Sequence, residues 1–496
     1  MAGPIEHVIV LMLENRSFDH LLAYSGIADL TGVDTSKTNP AKSGPPVPMS
    51  ATTPDRMPSD PGHEFENVDW QIYGQAPGPA ARSVLMNGFA NQDWPEAMAC
   101  ASPALVPVLT HLAREFVVCD NWFSSMPGPT WPNRFFVHAG SSGGLANSPS
   151  SMSSMGAILW SKLGFSFENG TLFDALTRAG HGWRVYHGDH FPQVCAIDTM
   201  PSVFVATADC FRKLDELGTD LQRGDVASYT FIEPDYSILS SFANGNSQHP
   251  AGSLSAGEQL IQTVAQAVMS SEVWMSSLLI IVYDEHGGFY DQVATPITGV
   301  IPPGDAALNT AKAASPPSPP FAFDRLGVRV PAVLVSPWLE PGTVSHSVYD
   351  HASVIRTIFD IFDLPGRLTN RDGKATSLAP LLAHTARIQA PAPVPAAKAA
   401  TQAGSLTENA NPRYVRSLDG FARIAAQIHH ALRRHQAAPD LPSHALTNEI
   451  AAAEPDLSYL ESLPLTGRPE EARAYIKHVA DLIAIHRQRQ RAGLPP

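Results

Sequence analysis

An apolar run, LLIIVYDEHGGFYDQV at positions 278 to 293, ends in two adjacent acids, a histidine and two glycines. Asp284, Glu285 and His286 thus stand at the mouth of what reads as a buried strand, where bare charge is costly and must be hydrated, paired or bound. A second place of the same kind is HVIVLMLENRSF (7–18), in which Glu14 and Asn15 follow an apolar run. A third is NWFSSMPGPTWPNRFF (121–136), where Pro and Gly make a tight turn before Thr130. Pro132 suits the first turn of a helix, because its missing N–H costs nothing there. Thr130 then lies at a helix amino end, whose free N–H groups and positive dipole end favour a phosphate. A threonine hydroxyl is a poor nucleophile until deprotonated, and a metal ion on its oxygen can do that while neutralising phosphoryl oxygens. On the local pattern alone, the simpler reading is that Thr130 only caps a helix.

The elements that must position these residues are short apolar, β-branched runs. They are 7–13, 116–120, 183–187, 229–233, 278–285 and 331–338, with helical stretches such as 102–116 and 255–271 between them. Near-continuous apolar strands alternating with helices predict an α/β fold, a mostly parallel central sheet covered by helices on both faces. In such sheets ligands sit beyond the carboxyl ends of the strands. Glu14-Asn15, Asp120 and Asp284-Glu285 all follow strand ends, so one site assembled from distant segments is the economical reading. The Pro/Ser/Gly-rich segments 36–62 and 294–320 read as surface loops. The sequence divides into a catalytic domain over 1–389, a linker over 390–410 (APAPVPAAKAATQAGS at its start) and a helical C-terminal appendage over 411–496. One appendage helix aligns Val415, Leu418, Ile424, Ile428 and Leu432. Another, with Thr466 as its cap, aligns Tyr475, Val479, Leu482 and His486. His429, His430 and His435 are expected at the surface.

The totals exclude some functions. The chain has 496 residues, 44% of them hydrophobic, which is enough for a large core, and a net charge of −14. That charge argues against nucleic acid, since phosphate backbones select for Lys and Arg. It equally gives no support to a polybasic membrane anchor. No segment reaches the length of a transmembrane helix. The first residues lack a basic region and a cleavage site, and their apolar run leads into Glu14, so a cytoplasmic location, or export by a route without such a signal, is expected. Cys195 and Cys210 could pair in an oxidising compartment; free thiols are the expectation.

Four stretches in order carry a family resemblance: HVIVLMLENRSFDHLL (7–22), GPTWPNR (128–134), YDEHGGFYDQV (283–293) and FDRLGVRVPAVLVSPWLEPGTV (323–344). They closely resemble the phosphoesterase family of bacterial phospholipases C and acid phosphatases, most of all its non-specific phospholipase C branch in plants and bacteria. DPGHEF (60–65), MNGF (86–89), NSQHP (246–250) and DHASVIRTIF (350–359) fall where that family has corresponding pieces, and the resemblance runs from about residue 4 to 380. It implies an alkaline-phosphatase-like architecture and a phosphoric-ester hydrolase working through a phosphothreonine at Thr130. Glu14, Asn15, Thr130, Asp284 and Glu285 resemble the ligands of one divalent metal ion. Hard oxygen donors of this kind favour Mg, Ca or Mn. By the same resemblance His63, His249 and His351 lie at positions that line the substrate site, with His351 placed to donate a proton to the leaving alkoxide; His286, beside the ligand pair, is expected either to touch substrate or to orient Glu285. Phospholipid is the expected substrate, with transient contact to a membrane surface. An acid phosphatase acting on small monoesters is the alternative, and a non-catalytic lipid- or protein-binding member a remote one. Association through the C-terminal helices stays open. Two departures bear on head-group choice: Ser247 and Gln248 stand where relatives have acids before the histidine of NSQHP, and Gln292 stands where they have histidine.

Overall fold

The computed structural model describes residues 4–75, 82–92, 94–149, 164–207, 209–240, 242–387, 389–400, 412–437 and 469–492. Its strands are β1 (His7–Leu13), the two-residue pair β2 (Thr38–Asn39) and β3 (Val47–Pro48), β4 (Val117–Cys119), β5 (Trp183–His187), β6 (Phe211–Lys213), β7 (Tyr229–Glu233), β8 (Ser277–Tyr283), β9 (Ala332–Val335) and β10 (Thr343–Ser345). All but β2 and β3 form one eight-stranded sheet in the order β10-β4-β9-β8-β1-β7-β5-β6. Every pairing in it is parallel except those of β9, which runs against both β4 and β8. The α/β expectation is met. All six apolar runs form strands, and β6 and β10 are added at the two edges.

The central strands β1 and β8 are buried on both faces, from Val8 to Leu13 and from Ser277 to Tyr283. Each such aliphatic side chain contributes roughly 1.5–3 kcal/mol on burial. That makes the pair a stiff base for whatever leaves its carboxyl ends. Helices cover the sheet in two groups. The helix Pro107–Glu115 packs with Leu254–Met269, and Thr130–Ala139 packs with Leu172–Arg178 and Ala352–Ile361. The first group is pinned by Glu258, whose carboxylate accepts the N–H groups of Val108 and Leu109 at the start of Pro107–Glu115. The expected helix 102–116 therefore starts only at Pro107, which occupies its first turn.

Two long helices, Pro412–Ala437 and Pro469–Arg491, close the chain and pack on each other. Phe421, Ile424, Ile428 and Leu432 of the first are buried, as are Tyr475, Ile476 and Val479 of the second. The side chains of Val415 and Leu418, and Thr466 with its expected cap, lie outside the described residues. His429, His430 and His435, expected at the surface, are instead half-buried. His429 meets the Tyr475 hydroxyl at 3.0 Å, and His435 meets the His486 ring at 5.4 Å. All four cysteines are free thiols. No helix among the described residues is long and apolar enough to cross a membrane.

Candidate active site

The register of β1 on β8 builds the site. Leu13 lies opposite Tyr283, so Glu14-Asn15 and Asp284-Glu285 leave the sheet side by side. The ladder runs on past the strands, with Asp284 N–H donating to Leu13 O at 3.1 Å and Arg16 N–H to Glu285 O at 3.0 Å. Asn15 turns its backbone left-handed, at φ 57°, a conformation a short amide side chain tolerates better than most. The turn back from β8 uses Gly287, at φ +65°. A Cβ there would sit 2.1 Å from the Asn15 carbonyl oxygen, so no other residue allows this close approach.

Asp284 is fully engaged. Its Oδ1 accepts the N–H groups of Asn15 (3.0 Å) and Glu285 (2.7 Å), and its Oδ2 accepts Arg134 Nε at 2.9 Å. Arg134 also gives one N–H to the Tyr236 hydroxyl at 2.7 Å and approaches Glu14 at 3.9 Å. Glu14 and Glu285 are in a different condition. Glu285 Oε2 accepts Gly287 N–H at 2.8 Å, but Glu285 Oε1 and Glu14 Oε2 are buried without a hydrogen-bond partner among the described residues. Burial pushes the Glu14 carboxyl up to about 8, with Arg134 opposing and Asp284 adding to the shift. Burial likewise pushes Glu285 up to about 8, with His63 opposing and Asp284 adding. The two buried oxygens that lack a hydrogen-bond donor describe a place open to a positive charge.

Thr130 is the first residue of the helix Thr130–Ala139. Pro129 occupies the cap position in an extended conformation. The Thr130 hydroxyl donates to Asn15 Oδ1 at 3.2 Å, so this bond points across the site rather than to its own helix. Asn133, one turn on, fixes the preceding loop: its Oδ1 accepts Met126 N–H, and its Nδ2 donates to Gly128 O and Pro129 O at 3.0 and 3.1 Å. Asn133 and Tyr236 are positioning residues that the sequence reading passed over. Asn133 lay within a quoted motif and could have been found there; nothing local marks Tyr236.

The histidines divide. His63 donates its Nδ1–H to Pro61 O at 2.8 Å, which turns Nε2 toward the Asn15 amide at 3.5 Å and Glu285 Oε1 at 3.9 Å. His249 stacks flat on Phe242, with centroids 3.8 Å apart, and its Nδ1 accepts Ala251 N–H. His286 is wholly buried and gives its Nε2–H to Gln71 Oε1 at 2.7 Å, while Gln71 in turn donates to Gly62 O. It therefore braces the loop that carries His63 and does not line a substrate surface. Burial pulls its pKa down to about 3, so it stays neutral. His351 is also wholly buried, with Trp122 Nε1–H donating to its Nδ1 at 3.3 Å and its Nε2 on the Asp284 carbonyl at 2.6 Å. Both ring nitrogens are committed, which leaves none for the expected proton donation.

Arg16 forms no ion pair with a carboxylate among the described residues, although Asp60 and Asp55 act on it at longer range. It donates to Gln248 O at 2.8 Å and to His20 Nε2 at 3.0 Å, and burial pushes its pKa down to about 9. Gln248, in place of an acid, accepts the Tyr283 hydroxyl and donates to Leu254 O. Gln292, in place of a histidine, donates to Asp19 Oδ2 at 2.9 Å. Neither glutamine touches Thr130 or the orphaned oxygens, whereas Ser247 meets Glu14: its carbonyl accepts Glu14 N–H at 2.9 Å and its side chain hydrogen-bonds the Glu14 carboxyl. Among the described residues no three His, Cys, Asp or Glu side chains form a ready metal cage. The donors brought together here include an amide oxygen and a hydroxyl, Asn15 Oδ1 and Thr130 Oγ1.

A separate apolar cluster rises beside this floor. Phe65, two residues past His63, meets Phe321 at 5.0 Å; Phe321 meets Phe323 at 4.7 Å; and Phe323 meets Phe136, on the Thr130 helix, at 6.3 Å. Phe321 and Phe323 are partly exposed.

The model of the Phosphoesterase family matches residues 5–365. Non-specific phospholipase C6 of Arabidopsis thaliana is 35% identical over 428 residues, which cover 79% of this chain and 75% of that protein. Non-specific phospholipase C3 of the same plant is 33% identical over 423 residues, covering 79% of this chain and 76% of that one. A solved protein in the alkaline phosphatase superfamily from Vibrio parahaemolyticus has 9% identity and a TM-score of 0.36 over 76% of this chain and 71% of that chain. That superposition is too loose to bear on the fold, which rests on the sheet itself.

Proposed function

Because this chain belongs to the Phosphoesterase family, and is a hydrolase of phosphoric esters, we propose that it is a phospholipase C. It cleaves phosphatidylcholine-type phospholipids to diacylglycerol and a phosphorylated head group through a phosphothreonine at Thr130. The observation that carries this reading is the Thr130 hydroxyl. It stands at a helix amino end and is spent on Asn15 across the site, and no side chain caps that helix, since Pro129 at the cap position has no side-chain acceptor to offer.

The helix amino end meets the phosphate with free N–H groups and a favourable dipole, which orients phosphorus over Thr130. The Thr130 oxygen bonds to phosphorus as the bond to the glycerol oxygen breaks, and water then cleaves the threonine ester to release the head group. Glu14, Asn15, Thr130 and Glu285 are the residues that would hold one divalent ion, and the orphaned oxygens of Glu14 and Glu285 fit such an ion. Such an ion, when bound, supplies Lewis-acid stabilisation of charge on the phosphoryl group. Asp284, expected among its ligands, serves to hold Asn15, Glu285 and Arg134 in register. His351 is a positioning residue on the Asp284 carbonyl, and proton handling falls to His63: its Nε2, bare while Nδ1–H is held by Pro61 O, takes the proton of the Thr130 hydroxyl and passes it to the leaving alkoxide. The aromatic wall from Phe65 to Phe136 favours a substrate with acyl chains over a small monoester.

The test sets phosphatidylcholine vesicles against p-nitrophenyl phosphate, each titrated with Mg, Ca and Mn. Release of diacylglycerol is the expected result. Brisk monoester hydrolysis with no diacylglycerol would move the substrate to the acid-phosphatase class. No turnover of either would leave a binding member of the family.

A further inference from the structure

The helix Pro412–Ala437 lies past the end of the matched family region, yet it packs behind the two residues on which the proposed chemistry depends. Gly420 faces Trp131, the residue next to Thr130, so closely that a Cβ at 420 would sit 2.7 Å from Trp131 Cζ2. The neighbouring Phe421 packs edge-on against the Tyr236 ring, at 5.9 Å and 61°. Tyr236 holds Arg134 through its hydroxyl and lies under the guanidinium at 5.2 Å. Arg134 in turn holds Asp284. Further along the helix, Arg423 lies 5.7 Å from the Phe165 ring, which stacks on Trp131.

We infer that this C-terminal helix is the back wall of the active site. Through Gly420–Trp131 it sets the position of Thr130, and through Phe421–Tyr236–Arg134 it sets that of Asp284. The inference rests on the phosphothreonine reading above. Its physical basis is that close-packed interiors transmit displacement rather than absorb it. A shift of about 1 Å in a reacting group, caused by a change remote from the chemistry, can cost on the order of 100-fold in rate. Gly420, Phe421, Trp131 and Tyr236 are then positioning residues, since none reaches substrate.

The test is a double-variant cycle in the full chain on both substrates. Gly420→Ala puts the missing Cβ against the indole, and alanine is the better helix former, so any loss comes from the contact and not from the helix. It should lower kcat by roughly 10- to 100-fold with KM changed less than about 2-fold. In the Trp131→Phe background, where the smaller ring leaves room for the Cβ, the same change should cost less than about 3-fold. Tyr236→Phe should lower kcat by about 10-fold, because Arg134 loses its bond to the Tyr236 hydroxyl and keeps only Asp284, Leu13 O and the distant Glu14. Undiminished kcat in Gly420→Ala, or an equal loss with and without Trp131→Phe, overturns the inference. So does a loss that appears only in KM. If the wild-type chain turns over neither substrate, the functional reading fails on its own. The back wall is then judged by thermal melting: non-additive Tm changes for Gly420→Ala and Trp131→Phe uphold it, and additive ones reject it.

Discussion

Two groups of carboxylates are buried near each other, where the ends of β1 and β8 lead into the loops beyond, and they are finished differently. Asp19 and Asp291 close on Arg329, with Nη2 at 2.8 Å from Asp19 and Nε at 3.0 Å from Asp291. Arg329 spends its remaining amino group on Thr31 O and Asp120 O, while Gln292 and the Asp19 and Val293 N–H groups take up other carboxylate oxygens. The chain supplies this cluster with its own cation. Glu14 and Glu285 are held more loosely, with Arg134 and His63 each 3.9 Å away, and each keeps a buried oxygen without a hydrogen-bond donor among the described residues. Fully satisfied polar networks fix a fold, whereas an unfinished one signals a ligand. Quoted motifs of one family thus contain both kinds: FDHLL, YDQV and LGVRVP hold the frame, while LEN, GPT and YDE present the chemistry.

The contrast breaks most sharply under three kinds of change. Thr130→Val keeps shape and removes the hydroxyl, so turnover should fall at least ~10³-fold, about 4 kcal/mol of barrier, with Tm unchanged within a degree or two. Thr130→Ser should keep part of the rate. Mass spectrometry of enzyme quenched during turnover should find phosphate or phospho-head group on the Thr130 peptide, and an unmodified peptide with an active valine variant would point to direct attack by water. Arg329→Met works in the opposite sense. It strands two buried carboxylates and should cost about 3 kcal/mol in denaturant unfolding. A chain as stable as wild type would mean that the two clusters do not differ as described.

The third change is the cation itself, with a smaller effect. The folded carboxyls of Glu14 and Glu285 lie at about 8 against an ordinary 4.5. A raised folded pKa contributes stability that is present below about 4.5 and lost as pH rises through 8. In EDTA, Tm should therefore decline from pH 5 to pH 8, and the Glu14→Gln, Glu285→Gln double variant should decline less. Added Mn or Ca should raise wild-type Tm more at pH 8 than at pH 5, since ligands must be ionised to bind. A Tm that ignores both pH and metal in wild type would remove the electrostatic argument for an ion. Smallest of all, Gln292→Ala at the edge of the Arg329 cluster should cost about 1 kcal/mol and leave KM alone.

Much of this was legible in the sequence, for physical reasons that also explain the gaps. Strands buried on both faces show as unbroken apolar runs, so β1 and β8, and with them the exit of Glu14-Asn15 beside Asp284-Glu285, could be read directly. The edge strands Phe211–Lys213 and Thr343–Ser345 are three residues long and partly polar, too short for a period to register. For His286 and His351 the residue type was visible but the ring partners were not. Gln71, Trp122 and the Asp284 carbonyl come from distant parts of the chain, and they turn two expected working groups into braces. The contact of Gly420 with Trp131 is hidden for the same reason. An amphipathic stripe reveals that a helix is covered, not by what.

The pairing of β1 with β8 also has a consequence for how the protein is made. Asn15 and Asp284, which share a hydrogen bond, are 269 positions apart. A strand that emerges first from the ribosome waits for its neighbour, on the order of half a minute at ~5–20 residues per second. Throughout that interval the Thr130 helix has no Asn15–Asp284 platform to face, and the helix that backs it is translated later still. The phospholipase C proposed here is thereby inert while it is nascent. It becomes competent only when almost the whole chain is free.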